Sequence, residues 1–417
     1  MTNFTMYTYE LKRDLMNFSK KISTGLSKSD SKFLMDMMFG ISVSGSTLIS
    51  EISRSLKENI KLGYTIERLC NHLSSFDENN LIMNNYFDEC RNHFGDKPIV
   101  LFDDSDISKI YGKKFEDLDD VIDGSNKEKS ITPGYHVCEA VALTKMEKQP
   151  ISLYSKIYSC KSDNFISKNE YTMESIKTSE KVLGKRFIGV FDRGYDDNKI
   201  IDYMSKNNEF VIRMKDKRTF LFKGKKKNCY EEAIKRKGKI RMTLLFDDNE
   251  VREVYVSHTK VTLPYNKSDY ELVMVYGLSE ERPLILLTNL SIHSKEDVIK
   301  VVRLYFSRWR IEEYFRAKKQ EYDFENMRVR TLKAMNNLNT ILTIYLGYVG
   351  MLSEKIDRKL MTIKIIEASK SLRRKILVWL SQMARGIKEI LKYCHTGIKE
   401  WQKIEKREKN KQMQLKL

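Results

Sequence analysis

The 417-residue sequence has few of the residues that build disulfide or zinc frameworks. Its six cysteines lie far apart with no C-x-x-C pair, and its six histidines are equally scattered. This spacing excludes a disulfide-stapled fold or a zinc ribbon and is typical of free thiols in a reducing cytoplasm. We therefore expect a cytoplasmic protein in which carboxylates hold any bound metal.

Proline and long apolar runs are also scarce. Only 5 prolines occur, and no linker rich in Pro, Gly or Ser interrupts the chain, so we expect packed sub-domains. The amino-terminal segment has no apolar core of the kind found in signal peptides. The longest uncharged run, residues 334–352, contains three Asn and two Thr. These polar residues favour a buried helix over a membrane span.

The charge balance is strongly basic. Lys and Arg number 75 against 57 Asp and Glu, which gives a formal charge of +18. A polyanion is the favoured partner, because each phosphate that a protein neutralises releases counterions. An anionic membrane surface is the rival interpretation, and the amino-terminal sequence gives it no support.

Hydrophobic patterning divides the chain into helical and mixed regions. Residues 1–95 look helical, and they fit either a helix-turn-helix DNA reader or a plain helical bundle. Strand–helix alternation over residues 96–215 predicts an α/β unit. Short β-like runs then predict a mostly β insertion at residues 216–292.

The rest of the chain is predicted to be helical. Ser294, with acidic residues in the turn that follows it, predicts the start of a helix within residues 293–330. Residues 331–417 form a further helical region, to which we assign a role in dimerisation. Its Lys-rich end, residues 403–417, is expected to be partly disordered.

Two predicted strands end in an acid. Asp103 follows the run IVLF, and Asp192 follows FIGVF. A carboxylate at the end of a buried strand costs desolvation energy unless it is paired or binds a cation. Together with Glu312, these acids could hold two hard divalent cations, about 3.5–4 Å apart, for a phosphoryl displacement. Taken singly, each acidic motif also fits a polar turn.

The stretch YFSRWRIEEYFRAKKQEY, residues 305–322, carries the third acid. Read as one helix, it places four residues on one stripe at offsets 0, 3, 7 and 14, namely Tyr305, Arg308, Glu312 and Lys319. Ile311 and Phe315 then face a core. A charged ridge of this kind is usually a solvated face, but it also suits a metal-binding acid flanked by phosphate-binding cations.

These residues resemble a known signature. Tyr305, Arg308, Glu312 and Lys319 match Y-x2-R-x3-E-x6-K, which resembles the signature of DDE transposases from bacterial insertion sequences. FDDSDISK and GVFDRGYD resemble the blocks that carry the first and second Asp of that group, and FVIRMK resembles a further family element. The resemblance spans roughly residues 98–330.

The resemblance implies a fold and a set of site residues. The fold would be α/β, with a ribonuclease-H-like core interrupted by the β insertion and flanked by helical regions. Two Mg²⁺ ions, replaceable by Mn²⁺, would bind to Asp103, Asp192 and Glu312 as the catalytic acids. Asp103 fits the Asp-x-Ser/Thr pattern through Ser105, and Asp104 is the alternative. The DNA contacts would be Tyr305, Arg308 and Lys319, with Arg213 and Lys215 as further contacts.

The implied activity is cut-and-paste transposition by a homodimer that bridges two inverted-repeat ends of double-stranded DNA. The protein would be bacterial and nucleoid-associated, with no membrane partner. Relatives that form a hairpin stack a flipped base on a Trp of the insertion, but residues 216–291 contain no Trp. A Tyr or Phe would have to replace it. The alternatives are an inactive transposase-derived DNA-binding regulator and a structure-specific nuclease of the same fold.

Overall fold

A computed structural model of the chain describes residues 2–122, 130–146, 148–245, 251–279, 282–354, 359–370 and 379–394. The Lys-rich end, for which we expected disorder, lies outside these ranges. The fold joins a helical amino-terminal part, one large mixed sheet and a helical carboxyl-terminal part. The α/β class expected from the sequence is confirmed.

The amino-terminal part is helical, as predicted. Its helices are α1 (Thr2–Ile22), α2 (Lys28–Ser44), α3 (Ile49–Ser55), α4 (Leu62–Ser75) and α5 (Asn79–Cys90). The Ser27 hydroxyl caps α2 by accepting a hydrogen bond from the Asp30 N–H, and Gly45 ends it in the left-handed region at φ 61°. Residues 33–42 of α2 are buried, so α2 is a core helix and does not lie open to a DNA groove.

All described strands belong to one sheet. They are β1 (Ile99–Ser108), β2 (Asp119–Ile122), β3 (Ile131–Leu143), β4 (Pro150–Tyr158), β5 (Ile188–Phe191), β6 (Glu209–Arg213), β7 (Thr219–Phe222), β8 (Lys225–Asn228), β9 (Ile240–Leu245), β10 (Val251–Thr262), β11 (Asp269–Tyr276) and β12 (Leu284–Thr288). The order is β2-β3-β1-β5-β6-β12-β11-β10-β7-β8, while β4 also pairs with β3 and β9 with β10. Strands β1, β5 and β6 are parallel neighbours, which matches their continuous apolar sequences.

The remaining helices cover the sheet or pack against the amino-terminal part. They are α6 (Lys168–Leu183), α7 (Asn198–Asn207), α8 (Cys229–Ile234), α9 (Lys295–Phe306), α10 (Trp309–Glu321), α11 (Leu332–Glu354), α12 (Lys359–Ala368) and α13 (Trp379–Leu391). Helix α8 lies in the stretch for which only β structure was predicted. The Asn228 side chain caps it by accepting hydrogen bonds from the N–H groups of Tyr230 and Glu231. The predicted insertion also continues the main sheet, because β12 pairs with β6.

The uncharged run 334–352 lies in α11, which packs on β4 and on the amino-terminal helices α2, α4 and α5. The run is buried, as predicted. Gly347 is needed there, because a Cβ at this position would lie 2.1 Å from the hydroxyl of Tyr86. No single described helix is long and apolar enough to cross a membrane; α2 and α3 pass such a test only as a pair, and they are bent by 93°.

Candidate active site

The parallel pairing of β1 and β5 brings two of the three candidate acids to one edge of the sheet. Phe102 is in register with Phe191, and the two rings stack with their centroids 4.5 Å apart. Asp103 and Asp192 directly follow these last paired residues. Asp192 lies just past the end of β5, as predicted, but β1 continues beside β3 to Ser108, so Asp103 lies within its strand and not at the strand end that the sequence predicted. The carboxyl ends of parallel strands are the usual place for a binding site in an α/β sheet.

The signature stretch does not form one helix, contrary to the sequence prediction. Helix α9 ends at Phe306 and α10 begins at Trp309. Between them the Arg308 N–H donates to the Tyr305 carbonyl, and the Ile311 N–H donates to the Arg308 carbonyl. Each of these hydrogen bonds joins an N–H to the carbonyl three residues before it, which gives a 3₁₀-like turn. Tyr305 therefore lies on α9, while Glu312 and Lys319 lie on α10.

This turn directs two signature residues at the acids. The Arg308 guanidinium donates to Asp103 Oδ2 at 2.8 Å and to Glu312 Oε1 at 2.5 Å. The Tyr305 hydroxyl donates to Asp192 Oδ1 at 2.9 Å. Arg308 thus joins the first acid to the third, and Tyr305 holds the second.

The other predicted DNA contacts lie around the acids. Arg213 Nη1 lies 3.5 Å from Asp192 Oδ1, and its side chain is 40% exposed. Lys319 Nζ lies 3.0 Å from Glu325 Oε1 and 3.7 Å from Asp106 Oδ2. Lys215 is further along, where its ammonium donates to the Asp196 carbonyl at 3.3 Å. Of the predicted cations, Arg308 and Arg213 therefore contact the acids and Lys215 does not.

Asp103 and Asp192 have opposite pKa shifts. Burial raises the pKa of Asp103 to about 7; Arg308 counteracts this, and the neighbouring Asp192 carboxylate adds to it. Burial also disfavours ionised Asp192, but the Arg193 N–H, Arg308 and Tyr305 outweigh it, so the pKa of Asp192 is lowered. Ionised Asp103 is therefore the more costly carboxylate, which is the condition that a bound cation relieves.

Asp104, the alternative first acid, has different neighbours. Burial raises the pKa of Asp104, and the neighbouring Cys138 and Tyr195 side chains counteract this rise. Arg308 contacts Asp103 instead. The geometry therefore links Asp103, and not Asp104, to Glu312.

A buried ion pair supports α10 from below. Lys318 Nζ donates to Glu139 Oε2 at 2.9 Å, to Ser155 Oγ at 3.0 Å and to Asn339 Oδ1 at 2.9 Å. Glu139 lies opposite Asp103 in the β1–β3 pairing. The pair therefore fixes the helix that carries Glu312 against the strand beside the first acid. Sequence reasoning missed it, because Lys318 and Lys319 look alike in the sequence.

The structure also brings together a group of potential metal ligands that the sequence spacing did not indicate. Within the described ranges, the ligand atoms of Asp119, His136 and Cys160 all lie within 4.8 Å of one another, whereas those of the three candidate acids form no such group. The Arg308 guanidinium lies between Asp103 and Glu312. The scattered histidines and cysteines therefore include one such group, which the sequence spacing did not predict.

Comparison with known proteins supports a transposase. Residues 168–346 match the family model described as "Transposase DDE domain", and this range contains Asp192 and Glu312 but not Asp103. The match supports a DDE transposase, and with it a nucleic-acid-processing enzyme. A search of curated protein sequences finds no significant match.

Two solved structures resemble the chain at 10% sequence identity each. One is a cryo-EM structure of the piggyBac transposase synaptic complex with hairpin DNA, with a TM-score of 0.42, covering 95% of this chain and 83% of that chain. The other is the NurA nuclease from Sulfolobus solfataricus, with a TM-score of 0.23, covering 63% of this chain and 95% of that chain. Likeness at these scores supports no conclusion about this chain.

Proposed function

We propose that this chain is a cut-and-paste DNA transposase, which cleaves the ends of its own mobile element and joins the freed 3′-OH ends to target DNA. The family match over residues 168–346 supports the transposase class. One geometric observation carries the assignment of the site. Asp103 and Asp192 follow the last paired residues of the neighbouring parallel strands β1 and β5, and Arg308 links Asp103 to Glu312.

DDE transposases generally use divalent metal ions, and carboxylates are ligands that such ions prefer. Arg308 lies between Asp103 and Glu312 in this structure, so its guanidinium would have to move aside before these acids share a cation. Burial and the charge of Asp192 raise the pKa of Asp103, so a cation that binds these carboxylates relieves their repulsion. We assign Mg²⁺, or Mn²⁺ in its place, to Asp103, Asp192 and Glu312. When bound, two such ions would activate the attacking oxygen and stabilise the leaving oxygen of a phosphoryl displacement.

The surrounding side chains orient the acids and bind phosphate. Tyr305, which is only 6% exposed, fixes Asp192 through its hydroxyl and offers little surface to DNA. Arg308 neutralises part of the acidic charge before DNA arrives. Arg213 and Lys319 keep 40% and 24% of their side chains exposed, so they are the cations that can bind the phosphates beside the cleaved bond.

The wider assignment follows the same function. We assign a ribonuclease-H-like core to residues 96–215 and 293–330, and a homodimer that holds two inverted-repeat ends in the bacterial nucleoid. The formal charge of +18 supports binding to double-stranded DNA. Within the described part of the insertion, Tyr255 and Tyr265 are 43% and 42% exposed. These two rings could stack a flipped base in place of the missing Trp.

The test is cleavage and joining of DNA that carries the element's ends. Asp103→Asn, Asp192→Asn and Glu312→Gln should each lower the rate of end cleavage by at least about 10³-fold while the Kd for end DNA stays within about threefold. Asp120→Asn, which removes an exposed carboxylate from β2, is the matched control and should cleave normally.

Three other outcomes would contradict the proposal. Cleavage without joining to a target plasmid would identify a nuclease. End binding without cleavage by the wild-type protein would identify a regulator. Equal loss of DNA binding in all three acid variants would remove the acids from the cation site.

A further inference from the structure

A second polar group lies where three strands of the sheet meet. Asp119 begins β2 and is opposite Gly134 of β3, two residues before His136. His136 is in turn opposite Tyr158, the last residue of β4, and Cys160 follows two residues later. The strand pairing therefore brings together three side chains that are far apart in the sequence.

The group has a fixed carboxylate facing an imidazole and a thiol. Asp119 is 6% exposed, and its two oxygens accept hydrogen bonds from the backbone N–H groups of Asp120 at 2.8 Å and Cys160 at 2.6 Å. Asp119 Oδ2 lies 3.6 Å from His136 Nε2. His136 and Cys160 are half-buried, so the group is reachable from solvent.

The donor set matches one class of metal. Ligand atoms bound to tetrahedral zinc at about 2.0–2.3 Å lie roughly 3.3–3.7 Å apart, which is close to the separation of the Asp119 and His136 atoms. Imidazole and thiolate favour zinc and similar ions, whereas Mg²⁺ prefers oxygen ligands alone. We propose that Asp119, His136 and Cys160 bind one zinc-class divalent ion, with water as its fourth ligand.

This site is separate from the candidate catalytic acids. His136 and Glu139 are three residues apart on β3, so their side chains point to opposite faces of the sheet. Glu139 faces Lys318 on α10. His136 stacks on Tyr158, which stacks on Tyr171 of α6 with ring centroids 4.2 Å apart. The ion would lie on the α6 face and fix β2 and the end of β4 to β3, independently of the proposed transposase function.

The surroundings of the two titratable ligands act in different directions: they disfavour the charged imidazolium of His136 and also disfavour the thiolate of Cys160. Burial, and then the Lys168 ammonium, lowers the pKa of His136, while the Asp119 carboxylate raises it; a metal ligand must be the neutral imidazole. Burial and the hydrogen bond to Asp119 raise the pKa of the Cys160 thiol, while Lys168 lowers it. A bound ion would displace the thiol proton, and the Lys168 charge helps that step.

The test uses the full-length protein, stripped of metal with a chelator and titrated with Co²⁺ as a spectroscopic probe. The wild-type protein should bind one Co²⁺ with thiolate-to-cobalt absorption, and one Zn²⁺ should displace it. Cys160→Ser should abolish that absorption, and His136→Ala should weaken binding at least about 100-fold, the upper range for losing only a second-shell partner. Cys70→Ser, at another half-buried free cysteine, should behave as wild type.

A measurement on the wild-type chain removes dependence on how the variants fold. Zn²⁺ should slow alkylation of Cys160 by at least about tenfold, because a metal-bound thiolate is withdrawn from reaction, and should leave Cys70 unaffected. Absence of thiolate–cobalt absorption in the wild-type protein, or equal Zn²⁺ protection of both cysteines, would overturn the site. Asp103→Asn should keep the Co²⁺ signal, so a failed transposition assay would not bear on this result.

Discussion

The ammonium of Lys318 and the carboxylate of Glu139 form an ion pair at 2.9 Å in which neither side chain is exposed to solvent. Ser152, Ser155 and Asn339 complete the hydrogen bonding around it. A buried ion pair whose hydrogen bonds are all made lowers the stability of the fold only a little. A buried charge whose partner has been removed lowers it strongly. The pair therefore ties α10, which carries Glu312, to the strand opposite Asp103.

Removing the ammonium should destabilise the fold. Lys318→Met leaves the Glu139 carboxylate buried without a counter-charge, and should lower the free energy of unfolding in urea by about 3–5 kcal/mol. Replacing both partners, as in Lys318→Met with Glu139→Gln, should recover part of that loss. Lys319→Met, at the adjacent and partly exposed lysine, should cost less than about 1 kcal/mol. Equal losses at the two lysines would contradict the structural role of the pair.

The raised pKa of Asp103 predicts how stability depends on pH without metal. The folded-state pKa is about 7, and the unfolded value is about 3.9. Between these pH values the folded state therefore binds more protons than the unfolded state. The stability that this proton binding contributes is fully present below about pH 4 and is lost as the pH rises through about 7. Asp103→Asn cannot ionise, so its Tm relative to wild type should increase from pH 4.5 to pH 8.

Asp192→Asn tests how much the second acid contributes to that pH dependence. The pKa of Asp192 is lowered in the folded state, so its stabilising effect is present above about pH 3.9 and is lost only at lower pH. Between pH 4.5 and pH 8 its Tm, measured by thermal unfolding in a chelator, should fall less steeply than that of the wild type, because the Asp192 charge no longer raises the pKa of Asp103. A Tm curve for Asp103→Asn that runs parallel to the wild-type curve would show that the pKa of Asp103 is not raised in the folded state.

The hydroxyl of Tyr305 should affect chemistry more than DNA binding. Tyr305→Phe removes the hydrogen bond to Asp192, and a bond to a charged group is worth about 1.5–3 kcal/mol. The single-turnover rate of end cleavage should therefore fall by about 10–100-fold, while the Kd for end DNA is unchanged.

Tyr203→Phe is a matched control, because it removes a tyrosine–carboxylate bond to Glu180 away from the acids. It should leave the cleavage rate unchanged. A higher Kd for end DNA in Tyr305→Phe, with a normal cleavage rate, would support the direct DNA contact predicted from the sequence.

Local sequence patterns predicted some of the strands and helix starts that position the candidate site. The apolar run before Asp192 correctly marked a strand that ends just before this acid, whereas β1 continues past Asp103 to Ser108. Ser294 correctly marked a helix start through its capping box with Asp297. The break between α9 and α10 was missed, because nothing between Phe306 and Trp309 disrupts helical periodicity. The 3₁₀-like turn at this break directs Arg308 at Asp103 and Glu312.

Longer-range contacts were beyond the sequence pattern. Asp119, His136 and Cys160 are separated by 17 and 24 positions, and only the pairing of β2 and β4 with β3 brings them together. Lys318 and Lys319 are adjacent and chemically identical, so only the packing of α10 decides which one is buried.

Lys319 should contribute one phosphate contact to binding of cleaved ends. Its ammonium is partly exposed and is held near the acids by Asp106 and Glu325. Each neutralised phosphate changes the slope of log K against log salt by about 0.9 on duplex DNA, so Lys319→Ala should flatten that slope by about 1 and weaken binding at low salt. Fluorescence anisotropy across a salt series measures both effects. Lys161→Ala, at an exposed lysine paired with Asp120, should keep the wild-type slope. An unchanged slope for Lys319→Ala would remove this residue from the DNA interface.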